Sequence, residues 1–138
     1  LTGYSTDDAG VPRSFLGTAE DYITVKNLHE KNLIVPVSGD FAGPKALRAI
    51  GTWLTERGAT MRAFYLSNVE QYLFQDGKQQ AFYDNAATLP VDSASVFIRP
   101  YAFRRGAVVE SLCPISAFLV SARAGRVQSN NDALGCVR

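Results

Sequence analysis

A chain of 138 residues, 46% hydrophobic and 20% charged, is long enough to bury a core and short enough to be one domain. Its 14 basic and 13 acidic residues leave a formal charge of +1 spread along the chain, which gives no field to attract nucleic acid or an anionic membrane. No apolar run approaches the roughly 20 residues that cross a bilayer, so the expectation is a soluble chain, with the cytoplasm as its nearer compartment.

Residues 1–17 are rich in Gly, Ser, Asp and Thr without a sustained period, and read as an extended lead-in to a single α/β domain over 18–138. The first residue is Leu1, which points to processing or to a piece of a longer chain. Thr18 is placed to cap the amide of Asp21, and Tyr22, Val25 and Leu28 recur at helical spacing up to Lys31-Asn32. Leu33 to Val37 is a continuous apolar run, as in a strand covered on both faces, with Pro36 marking a bulge near its end.

The polar loop Ser38 to Gly43 follows, with Pro44 suited to the first position of a helix. That helix runs to Arg57 with Leu47, Ile50, Trp53 and Leu54 inward, and Gly58 ends it. Thr60 to Leu66 reads as a second strand, completing a strand, helix, strand unit whose crossover should be right-handed.

Ser67 and Glu70 match a capping box for a short helix to about Phe74. A further helical stretch is expected over Gln79–Asn85 and a third strand over Ser95–Arg99, while residues 104–111 give weak signals. Pro114 to Ala124 reads as a helix with Ile115, Phe118 and Leu119 inward and Gly125 as its stop, and Asn130 to Val137 adds a final turn or two.

Ligands of open α/β sheets bind beyond the carboxyl ends of strands, where the reading places Gly39, Asp40 and Gly43. Glycines permit close backbone approach and Asp40 can accept hydrogen bonds; the alternative is a plain turn in which Asp40 or Gly43 caps the helix. The second strand would end on the same edge at Ser67, Asn68, Glu70 and Tyr72, whose amide, carboxylate and phenol suit a polar ligand, although Ser67 and Glu70 could only cap and Tyr72 only pack. A phosphate cradle is unsupported, since neither a Walker loop nor GxGxxG is present.

The lone His29, beside Glu30 and Lys31, reads as a solvated helix-face residue, and neither a catalytic triad nor a metal site is supported. Arg99, Arg104 and Arg105 cluster after the third strand, where an anion clamp is the alternative to ordinary surface arginines. Cys113 and Cys136 lack zinc spacing; two free buried thiols are the expectation, and a bond between them in an oxidising compartment is the alternative.

At residues 37–49, VSGDFAGPKALRA, and 64–74, FYLSNVEQYLF, the sequence resembles a bacterial family that is similar to class I S-adenosylmethionine-dependent methyltransferases. FYDNAATLP at 82–90, SVFIR at 95–99 and Ala124-Gly125-Arg126 extend the resemblance over roughly residues 14–126. It implies a partial doubly wound, Rossmann-like and methyltransferase-like sheet with helices on both faces. Longer members carry an upstream glycine-rich turn and an acidic strand end that look like a cofactor site. No such segment precedes Leu33, so the resemblance implies the rear half of such a domain, with S-adenosylmethionine as a cofactor in doubt.

The functional expectation is a methyltransferase-like domain holding a nucleoside-type small ligand at Gly39, Asp40, Gly43, Ser67, Asn68, Glu70 and Tyr72. Alternatives are a non-catalytic module for assembly or partner binding and a small hydrolase using Asp40. A homodimer or a companion chain is expected to cover the free edge of the first strand.

Overall fold

The computed structural model describes residues 9–11, 14–104 and 107–136, with the backbone alone for 101–104 and 107–109. The chain divides into two compact units, Leu1–Val37 and Ser38–Arg138. The described part of the first unit is built around α1 (Ala19–Glu30), whose N-cap Thr18 accepts the amide of Asp21 at 3.0 Å, as the sequence predicts. No residue of α1 is buried, and Tyr22, one of the three apolar residues at helical spacing, is 51% exposed.

Residues 33–37 form no strand, which corrects the strand reading. Pro36 removes a ladder donor, and Leu33, Val35 and Val37 are exposed rather than sandwiched between layers. A continuous apolar run reports hydrophobicity without reporting what covers it.

The second unit holds a three-stranded sheet of order β1 (Ala63–Tyr65), β2 (Val96–Arg104) and β3 (Ala107–Pro114). Strands β1 and β2 are parallel and are linked through α3 (Val69–Gln75) and α4 (Gln79–Ala86). Strands β2 and β3 are antiparallel, with Phe97 opposite Cys113, Arg99 opposite Ser111, and a register shift between Pro100 and Ala102. The parallel crossover thus lies one unit later in the chain than expected. The sheet is mixed and small, in place of the expected strand, helix, strand unit beginning at Leu33.

Helix α2 (Ala46–Glu56) precedes the sheet, and α5 (Ile115–Arg123) and α6 (Asn130–Leu134) follow it. Pro44 lies outside α2, whose N-cap is Lys45. Leu47 is buried and Ile50 partly so, but Trp53 stays half exposed beneath the Arg57 guanidinium, 4.1 Å from its ring centre. In α5 the expected Ile115, Phe118 and Leu119 are joined by Ala122, giving i, i+3, i+4, i+7 burial. Gly58 and Gly125 have φ of 60° and 70°, the left-handed geometry that lets them stop α2 and α5. Ser129 and Asp132 form a capping box on α6.

The core is a closed ring of aromatic contacts running Phe41, Phe64, Phe97, Phe118, Tyr83, Phe82 and back to Phe41, with centroids 5.3–6.2 Å apart. Two glycines make close packing possible around it. A Cβ on Gly51 would come within 2.7 Å of the Thr88 carbonyl oxygen, and one on Gly39 would collide with the Ala46 methyl. A disulfide joins Cys113 of β3 to Cys136 beyond α6, with Cα atoms 5.6 Å apart, in place of the two free thiols expected. Among the described residues no helix is long and apolar enough to cross a membrane.

Candidate functional site

Alternation along β2 turns Phe97 and Arg99 inward, as Ser95 is just before it, so a full positive charge enters the core. Arg99 is 0% exposed, with its guanidinium 4.6 Å from the ring centre of Phe97 and 4.2 Å from that of Phe118. Its charge is met by Glu70, in the first turn of α3 and only 3% exposed. Arg99 Nε donates to Glu70 Oε2 at 2.5 Å and Nη2 to Oε1 at 3.0 Å, a bidentate fork. The Tyr83 hydroxyl donates to Oε1 at 2.9 Å. Burial first, and then the negative charge and hydrogen bond of Glu70, push the Tyr83 phenol far above the ordinary tyrosine range, with Arg99 opposing.

These three groups meet inside the core, where Glu70 accepts from Arg99 and Tyr83 while Arg99 Nη1 is buried without a hydrogen-bond partner. The capping box with Ser67 is corrected. The N-cap of α3 is Asn68, without a side-chain cap bond, and Ser67 has a φ of 47°. The predicted clamp of Arg99, Arg104 and Arg105 has Arg99 turned into the core, Arg104 in the backbone-only stretch and Arg105 outside the described residues.

The Asp40 loop is held by its own turn and by α4. Asp40 Oδ1 accepts the amide of Ala42 at 2.9 Å, and the Gly43 amide donates to the Asp40 carbonyl at 3.1 Å. This is the plain-turn geometry, without the helix cap. Gly43 serves that turn, with Asp40 Cβ 3.1 Å from where its own Cβ would lie, Gly39 packs against Ala46, and Phe41 inserts into the aromatic ring. Asn68 and Tyr72 are exposed at and just beyond the start of α3.

Asn85, 2% exposed on α4, fixes the loop from below. Its Nδ2 donates to the carbonyls of Phe41 at 3.0 Å and Gly43 at 2.8 Å, while Oδ1 accepts from Arg48 Nε at 2.8 Å. The buried amide therefore holds an otherwise exposed arginine by one edge. Arg48 stands at the head of an open groove of about 400 Å³, lined also by Gly51, Thr52, Thr55, Glu56 and Thr88. The hydroxyls of Thr52, Thr55 and Thr88 all donate to backbone carbonyls, those of Arg48, Gly51 and Asn85, which leaves each oxygen with acceptor capacity only.

Sequence reading missed Asn85 and Arg48. The usable signal was the apolar face of 79–86, where Phe82, Tyr83 and Ala86 enclose Asn85 as a polar residue at a core position. Among the described residues no group of His, Cys, Asp and Glu could hold a metal ion.

No curated protein matches the chain. A family model described as a domain of unknown function (DUF7790) matches residues 3–119, and the chain belongs to that family.

Proposed function

We propose that the chain is a non-catalytic binding module that associates through the apolar residues of its first unit, with a second copy of the chain as the partner. The observation that carries this reading is a helix, α1, that buries no residue, followed by exposed Leu33, Ile34, Val35 and Val37. A strand edge adds support. In the parallel ladder Arg62 and Leu66 bond toward β2, so alternation turns the backbone groups of Ala63 and Tyr65 to the other edge of β1, where the sheet ends. Among the described residues no strand pairs with that edge or with the apolar segment 33–37, so each copy brings two complementary features of the kind that closed dimers use. Glu70 is spent on Arg99 and Tyr83, and of the buried polar atoms of these three groups Arg99 Nη1 alone has no partner among the described residues, an internal arrangement that favours assembly over chemistry there.

Sedimentation equilibrium over a wide concentration range tests this. The expected result is a mass that rises to twice that of one chain, with Val35→Asp shifting the equilibrium to the monomer. A single-chain mass throughout refutes self-association. The competing reading, a methyltransferase-like domain for a nucleoside-type ligand, has the resemblance over residues 14–126 as its support. Saturable S-adenosylmethionine binding by calorimetry, lost in Asp40→Ala, would establish it instead.

A further inference from the structure

We propose that the groove along α2 is a binding site for the free carboxyl end of a short peptide, received by Arg48. The site lies within residues 38–138. An exposed arginine is ordinarily a mobile side chain, but Asn85 Oδ1 anchors Nε of Arg48 at 2.8 Å, and Asn85 is itself buried and fixed by two backbone carbonyls. With its Nε edge occupied, the guanidinium presents Nη1 and Nη2 end-on, and among the described residues no protein acceptor reaches either. Two parallel N–H donors in that disposition match one carboxylate.

The rest of the groove has the opposite character. Thr52, Thr55 and Thr88 offer acceptor lone pairs because their protons are committed to backbone carbonyls, and Glu56 adds a carboxylate at the far end. A ligand lying there must therefore bring donors after its anionic end, and a second anion would meet Glu56. Arg48 and Glu56 are eight residues apart on one helix, a rise of roughly 12 Å. An extended peptide of three or four residues covers about that span at roughly 3.3 Å each. Its carboxylate then meets Arg48, its amides face the threonine oxygens, and its ammonium reaches Glu56. The floor of the groove is closed where Gly51 packs against the Thr88 carbonyl.

Titration of the full chain with triglycine, C-terminally amidated triglycine and inorganic phosphate, followed by amide NMR shifts, tests the proposal. Triglycine should saturate with shifts concentrated at residues 48–56 and 88. Amidation and Arg48→Met should each weaken binding about tenfold or more, the loss expected for a charge-assisted pair. Thr52→Val, which leaves the Asn85 anchor intact, should weaken it a few-fold with the fold unchanged. Equal binding of amidated triglycine, or phosphate binding as tightly as triglycine, overturns the peptide assignment. No saturable shift with triglycine overturns the site itself, whatever the oligomeric state.

Discussion

Replacing Arg99 by methionine tests whether the buried pair is held as the geometry implies. The substitution removes two charge-assisted bonds to Glu70 and the contacts of the guanidinium with Phe97 and Phe118, and methionine refills only part of the volume. Glu70 stays inside, 3% exposed, with the Tyr83 hydroxyl as its remaining donor. Stranding one member of a buried pair costs about 3–5 kcal/mol, a large share of the roughly 5–15 kcal/mol that holds a domain together. Removing the whole network is different, because no charge is left without a partner. The triple variant Glu70→Leu, Arg99→Met, Tyr83→Phe should therefore lie within about 1–2 kcal/mol of the parent. Urea denaturation followed by the fluorescence of Trp53, the single tryptophan, and by circular dichroism gives both numbers. A loss below about 1 kcal/mol for Arg99→Met, or a triple variant as unstable as the single one, would refute the reasoning.

Three further outcomes follow from the same structure. The folded-state pKa of Tyr83 is raised, so its contribution is complete below the unfolded tyrosine value of about 10 and is lost above it. The stability advantage of the parent over Tyr83→Phe should therefore be flat below that pH and shrink by about 1.4 kcal/mol per unit above it; a widening gap would contradict the sign. Reducing the Cys113–Cys136 bond, which spans 23 residues, should lower stability by about 3 kcal/mol through loop-closure entropy, read from denaturation midpoints with and without reductant. Gly51→Ala should destabilise by about 1–2 kcal/mol in thermal melts, because the collision with the Thr88 carbonyl outweighs the helix-propensity gain of about 1 kcal/mol; a more stable variant would mean that α2 can move away.

The elements that were legible are those whose signal is local. Thr18 caps α1, Gly58 and Gly125 stop their helices, and the periodicity of Ile115, Phe118 and Leu119 fixes the buried face of α5. Leu33 to Val37 misled because burial depends on distant partners, and strand β3 was faint because its register is set by β2 rather than by its own pattern. Candidate-site residues were less legible still. Ser67 and Glu70 satisfy the capping-box spacing, yet a basic residue 29 positions on claims Glu70 for the core. Asn85 looked like one more polar helix residue, and only the loop it holds from 42 and 44 positions away shows otherwise. Asp40, singled out for its place in a glycine-rich loop, closes its own turn.

The network around Arg99 also sets how the molecule breathes. It ties β2, α3 and the facing ring of α5 through the Arg99 guanidinium and α4 through the Glu70 carboxylate, so partial opening of any of these elements would expose or strand a charge. Small fluctuations are thereby penalised out of proportion to their size, and the amides of these elements should exchange with solvent hydrogen as one cooperative block, at the free energy of global unfolding. Helix α1, with no buried residue to anchor it, should exchange by its own faster opening, so one chain would show two separate tiers of protection.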